Sequence, residues 1–257
     1  MMKKIFSPLC LSVLLALCSC TTSGLKVSYS DSDAVTQSRS LNGFEKITVL
    51  GSPTVYYTQA DSFSVSVKGP SDYVDNILTD VDDGTLTIRN KGKVGMVNVG
   101  FIGDRHLSVF VTSPDLVGVC VSGSGDLISR SKVDTDVMDI QLRGSGDIEI
   151  SDLICDRCNV ELVGSGDLDI DHLDTREVTA TLVGSGDIDI NQANVVNTRL
   201  WLRGSGDIEV NFLGGCSSVD AELLGSGDIT LKGQVKNVSK QKRGSGDIDT
   251  SKLRVVE

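Results

Sequence analysis

The stretch LRGSGDIEI, Leu142 to Ile150, decides the fold, because its centre recurs along the chain. GSGD begins at Gly123, Gly144, Gly164, Gly184, Gly204, Gly225 and Gly244, with successive spacings of 21, 20, 20, 20, 21 and 19 residues. A fixed period of this length marks a solenoid, whose copies bury an apolar face only by stacking. Four residues after the first glycine of each copy stand Leu127, Ile148, Leu168, Ile188, Ile208, Ile229 and Ile248. Six after stand Ser129, Ile150, Ile170, Ile190, Val210, Leu231 and Thr250. Two before stand Val121, Leu142, Leu162, Leu182, Leu202, Leu223 and Lys242. Odd offsets are mostly polar, most clearly Glu149, Asp169, Asp189, Glu209 and Asp249 at five after. Alternation with period two is the pattern of strands with one buried face, and no helical period fits it.

The alternation runs unbroken through GSGD, which puts both glycines of each copy on the inward side. These are Gly123 and Gly125, Gly144 and Gly146, Gly164 and Gly166, Gly184 and Gly186, Gly204 and Gly206, Gly225 and Gly227, and Gly244 and Gly246. Without a side chain the backbone can bend there, as at a solenoid corner. The serine and aspartate of each copy face outward, where their side chains can bond nearby backbone N–H groups. A third short stretch carries Leu153, Leu173, Ala193 and Leu213 nine residues after the first glycine. Two or three short strands per 20-residue coil describe an all-β protein built as a parallel β-helix, right-handed by the crossover preference. The expected β-helix spans 117–257, with Lys240 and Lys242 as a polar C-terminal cap and 250–257 over the last edge. Residues 41–116 lack the motif and read as a more irregular β-rich region capping the other end. Its strands are expected within 44–59, 62–69, 84–90 and 106–114, with one short helical turn within 71–84.

The N-terminus reads as a targeting segment. Lys3 and Lys4 precede an apolar run too short to span a membrane, and LCSC at Leu17 to Cys20 resembles a bacterial lipobox. The resemblance implies a signal peptide over 1–19, cleavage before Cys20, and acylation of Cys20 as a membrane anchor. Each buried methylene would contribute about 0.8 kcal/mol. A plain secretory signal is the alternative. Residues 20–40 read as a polar tether. No acidic run follows Cys20, so the cell surface and the periplasmic face of the outer membrane both remain open. The chain carries a net charge of −11, which repels phosphate backbones and excludes nucleic acid as a partner.

From Asp115 to Leu127, DLVGVCVSGSGDL and the ladder after it resemble the bacterial family called putative auto-transporter adhesin, head GIN domain. The resemblance covers about 41–257. It implies a β-helical envelope protein and, by its name, adhesion; it brings no catalytic residue.

Candidate sites are few. His106 and His172 are the two histidines, far apart in sequence, and read as surface residues. CDRC at Cys155–Cys158 is a CxxC, but no βαβ pattern surrounds it, Cys158 falls on an inward position, and no further zinc ligands are suitably spaced. Cys120 and Cys216 are the other cysteines of the repeat region, and the pairing of all four stays open. Asp126, Asp147, Asp167, Asp187, Asp207, Asp228 and Asp247 form an outward column that could share weakly held cations such as calcium. The calcium-binding nonapeptide roll is excluded, since its repeat is nine residues. Arg143, Arg203 and Arg243 share one outward row, and Trp201, the single tryptophan, is outward and could stack on a sugar ring. The residues therefore point to a lipid-anchored adhesion or scaffold module that presents a repetitive face to a protein or glycan, without cofactor or catalysis. The alternative is a carbohydrate-processing β-helix enzyme, which would require a basic, aromatic-lined cleft.

Overall fold

The computed structural model describes residues 34–92 and 107–256. The signal peptide, Cys20, His106 and most of the expected tether lie outside the described residues. The described chain is nearly all β. It opens with β1 (Ala34–Arg39), β2 (Lys46–Gly51), β3 (Thr54–Gln59), β4 (Ser64–Pro70), a helical turn at Ser71–Val74, β5 (Ile77–Asp82), β6 (Thr85–Asn90) and β7 (Ser108–Ser113). The GSGD region follows with β8 (Gly118–Gly123), β9 (Asp126–Asp134), β10 (Val137–Gly144), β11 (Ile148–Gly164), β12 (Leu168–Gly184), β13 (Ile188–Ala193), β14 (Asn197–Gly204), β15 (Ile208–Gly225), β16 (Ile229–Gly244) and β17 (Ile248–Val255).

The strands stack into a β-solenoid with two long faces meeting at the GSGD corner. Before the corner, β2, β8, β10 and the C-terminal halves of β11 and β12 pair in parallel, followed by β14 and the C-terminal halves of β15 and β16. After it, β3, β9, the N-terminal halves of β11 and β12, then β13, β15, β16 and β17 do the same. The register is one GSGD period, so like residues stack: Leu142 on Leu162, Ile148 on Leu168, Gly144 on Gly164. Inward residues thus meet apolar neighbours within their own coil and in the coils to either side. Leu127, Ile148, Leu168, Ile188, Ile208 and Ile229 are fully buried, as are Leu142, Leu162 and Leu182. Each such side chain contributes about 1.5–3 kcal/mol on burial, and with 4% aromatic residues this aliphatic ladder makes most of the core.

The structure changes three expectations. The solenoid does not begin at residue 117: β8 lies in register on β2, placing Gly51 beside Gly123, and β3 lies under β9. Gly51-Ser52-Pro53-Thr54 is thus a degenerate corner, and β6 and β7 stack in parallel beneath it. The irregular part is narrower, being the antiparallel strands β5 on one face and β1 and β4 on the other. The tether expected to run to residue 40 instead ends in β1, whose six residues pair with β4. Finally, the third short stretch does not keep one position from coil to coil. Leu153 and Leu173 are buried, but Leu213 is 54% exposed. A register slip brings Gln192 beside Leu173 and Phe212 beside Gln192, so the inward position moves back one residue. Gln192 is consequently a buried amide, and its Oε1 accepts from Thr198 Oγ1 at 2.7 Å.

At the C-terminal end the apolar ladder stops. Lys240 and Lys242 are exposed; Lys240 Nζ donates to Thr250 Oγ1 at 3.0 Å and Lys242 Nζ to Asp247 Oδ1 at 3.3 Å. Charged side chains on a terminal strand oppose edge-to-edge pairing with another chain.

Candidate functional site

The GSGD corner builds a straight column of carboxylates. Each aspartate accepts, through Oδ1, the backbone N–H of the equivalent aspartate one coil on. Asp147 donates to Asp126 at 3.2 Å, Asp167 to Asp147 at 3.0 Å, Asp187 to Asp167 at 3.1 Å, Asp207 to Asp187 at 2.9 Å, Asp228 to Asp207 at 2.7 Å and Asp247 to Asp228 at 2.7 Å. Both ends are tied as well: Thr54 Oγ1 donates to Asp126 Oδ2 at 3.1 Å, and Lys242 meets Asp247. The column is first of all a hydrogen-bond ladder holding coil to coil. Among the described residues no group of three or more histidine, cysteine, aspartate or glutamate side chains is arranged to hold a metal ion.

Two residues further on, a second acidic row runs parallel: Glu149, Asp169, Asp189 and Glu209 stack in register. Its ends are neutralised, Glu149 by Arg130 and Glu209 by Lys232. Asp169 and Asp189 in the middle form no ion pair among the described residues, although Lys232 partly opposes the rise of Asp189. Burial, then Asp189, Glu149, Asp167 and Asp171, push the Asp169 carboxyl up to about 6. Burial and Glu209 also raise Asp189. A raised folded-state value means that the folded chain keeps a proton the unfolded chain has released. The stability this contributes is full below the unfolded value of about 4 and is lost as pH rises through about 6. Asp169→Asn mimics the protonated form. It is expected to raise stability at neutral pH by on the order of 1 kcal/mol, after allowing for solvent screening, and to change nothing below about pH 4. Urea midpoints at the two pH values check this; an equal gain at both would show that charge is not the cause.

On the other face, the outward rows of β12, β14 and β15 form a shallow hollow of about 300 Å³. In register across three coils lie Thr181, Trp201 and Glu222, and beside them Val183, Arg203 and Leu224. Trp201 is 43% exposed, and buried Leu182 and Leu202 lie between the two rows. The hollow can be compared with the same place lower in the stack. There Arg143 and Glu161, related by the same strand offset as Arg203 and Glu222, form an ion pair at 3.1 Å. Among the described residues no ion pair joins Arg203 to Glu222. Of the arginine row, Arg143 is thus spent on a neighbour, while Arg203 lines the hollow. The indole was visible in the sequence as an outward residue. Arg203 was visible too, in its own outward row; that Thr181 and Glu222 flank the indole appears only when its row is read across successive copies.

The remaining candidates resolve into structure. Cys120, Cys155, Cys158 and Cys216 are free thiols. Cys155 and Cys158 are buried on β11, and Cys155 Sγ lies 3.7 Å from Thr175 Oγ1. A hydrogen bond between the two thiols, and then burial, raise Cys158 well above the usual thiol range, so it stays protonated in the core. His172 Nδ1 lies 2.8 Å from Asp152 Oδ1 on the preceding coil, a surface pair.

The chain resembles several solved structures. A crystal structure of a putative adhesin from Bacteroides fragilis matches with a TM-score of 0.68 and 26% identity, over 87% of this chain and 97% of that one. A putative lipid binding protein from Parabacteroides distasonis matches with a TM-score of 0.63, over 84% of this chain and 97% of its own. A putative adhesin from the same species gives 0.64, over 87% and 97%. Both of the latter are 21% identical and show the fold alone. No curated protein matches the chain. A family model matches residues 43–214, a span running from just before β2 into β15 and including five of the seven GSGD corners. The chain therefore belongs to the putative auto-transporter adhesin, head GIN domain family.

Proposed function

We propose that this protein is a non-catalytic adhesion or scaffold module of the bacterial cell envelope, held to a membrane by acylated Cys20. The observation that carries the reading is the solenoid's outer surface. Its outward rows repeat from coil to coil at about 4.8 Å, the spacing of paired strands, and so offer a long rigid face for docking. Carboxylates on that surface are committed to coil-to-coil hydrogen bonds or arrayed in rows. A catalytic centre instead gathers acid, base and nucleophile at one point. The adhesin names of the family and of the Bacteroides fragilis structure support the same reading, and the lipobox supports the anchor.

The test uses cells expressing the full chain or Cys20→Ala, and cells without it. The wild-type chain is expected in the membrane fraction and the variant outside it. Cells carrying the wild type are expected to adhere to mucin-coated surfaces better than the other two. Equal membrane retention of the variant overturns the anchor, and equal adhesion of all three overturns the adhesive role.

A further inference from the structure

We propose that the hollow around Trp201 is a binding site for a neutral saccharide. The inference rests on the adhesion reading and gives it a site and a ligand class. Trp201 stands 43% exposed on an outward row, with the small Thr181 on one side and Glu222 on the other. An exposed indole is a large apolar surface with a directional π face. It suits a ligand with one flat apolar side, such as the C–H face of a pyranose ring.

The charged pair decides which kind of ligand fits. Arg203 and Glu222 have the strand offset that lets Arg143 and Glu161 bond at 3.1 Å, yet they remain apart and both line the hollow. The guanidinium brings five N–H donors, the carboxylate two acceptor oxygens, and Thr181 a hydroxyl that does either. A purely apolar occupant would strip water from Arg203 and Glu222 and offer nothing back, which is costly. An anion would meet Glu222 and the field of a chain with net charge −11. A cation would gain from the indole and Glu222 but meet Arg203 directly. A neutral polyol satisfies donor and acceptor together, because each hydroxyl both gives and takes a hydrogen bond, while its ring stacks on Trp201. The hollow, at about 300 Å³, is at the small end of ligand sites. It is open on the flat face, which fits one or two rings of a longer glycan lying across the coils.

The chain has a single tryptophan, so indole emission, excited beyond the absorption of its four tyrosines, reports on this site alone. The purified full chain in detergent is titrated with neutral hexasaccharides of glucose, mannose, xylose and N-acetylglucosamine, and with hexagalacturonate as the acidic comparison. At least one neutral hexasaccharide is expected to shift the emission saturably, with hexagalacturonate at least about tenfold weaker. Arg203→Ala and Glu222→Gln should each weaken that binding about tenfold with the melting temperature unchanged, since both side chains face outward. By calorimetry, Trp201→Ala should abolish it. If no neutral hexasaccharide gives a saturable shift, if the acidic one binds tighter, or if Trp201→Ala keeps its calorimetric affinity, the proposal is overturned. Failure here with intact adhesion of cells to mucin removes the saccharide site and leaves the adhesive role. Saccharide binding without cell adhesion does the reverse.

Discussion

Gly186→Ala is expected to lower the stability of the solenoid by about 3 kcal/mol or more, while Ser185→Ala, its neighbour, changes it by about 0.5 kcal/mol or less. A Cβ on Gly186 would stand 1.9 Å from the carbonyl oxygen of Gly166 and 3.0 Å from its carbonyl carbon. Both are backbone atoms of the preceding coil, which no rotamer change can move aside. The coils would have to part at the corner. That would stretch the bonds from Ser185 N–H to Gly164 O at 2.9 Å and from Asp187 N–H to Asp167 Oδ1 at 3.1 Å. Gly184 carries a second constraint, since its φ of +146° is one that L side chains rarely adopt. Ser185 is exposed, and its hydroxyl makes no hydrogen bond among the described residues. Urea midpoints of the two variants decide the matter. A larger loss for the serine change would remove the close approach of coils as the reason for the glycines.

This geometry also shows what the sequence could and could not state. Period-two alternation at Leu142, Ile148 and Ile150 identifies inward positions, because burial of alternate residues is a local property of a strand. The period near 20 then places copies on one another. Why the corner needs glycine is not local. The alternation suggests a bend toward the core, whereas Gly184 is half-buried and the missing Cβ of each glycine points along the axis at the backbone of the preceding coil. Gly51-Ser52-Pro53-Thr54 escapes the motif because it lacks the second glycine and the aspartate. Yet Gly125 packs over the Pro53 carbonyl oxygen, and Thr54 still reaches Asp126 with a hydroxyl. β1 escapes because AVTQSR buries no complete face; its register on β4 comes from backbone pairing at an end of the stack. The slip from Leu213 to Phe212 follows from a bulge that no periodicity announces. Of the hollow, Trp201 and Arg203 could be singled out, but not that they lie together. The separation of Arg203 from Glu222, against the joined Arg143 and Glu161, is a fact of three dimensions.

Asp187→Ala and Asp187→Asn are expected to act in opposite directions. Stacked at about 4.8 Å, Asp187 and each column neighbour repel by about 0.9 kcal/mol in a water-like dielectric. A carboxylate acceptor for a backbone N–H contributes about 1.5–3 kcal/mol in return. Asp187 Oδ1 takes the Asp207 N–H at 2.9 Å, so Asp187→Ala loses the bond and relieves the repulsion from both neighbours, for a net loss of up to about 1 kcal/mol. Asp187→Asn keeps an oxygen to accept the bond and relieves the same repulsion. It should be neutral or more stable by up to about 2 kcal/mol, with the gain shrinking as salt is added. The same variants separate the ladder from a cation column. If shared calcium offset the repulsion, the wild type would melt higher in calcium than in sodium chloride of equal ionic strength, and Asp187→Asn would lose that difference. With every link from Asp126 to Asp247 already closed by a backbone N–H, the expected result is one melting temperature in chelator and in calcium. A calcium-dependent rise that disappears in Asp187→Asn would make the column an ion site as well as a ladder.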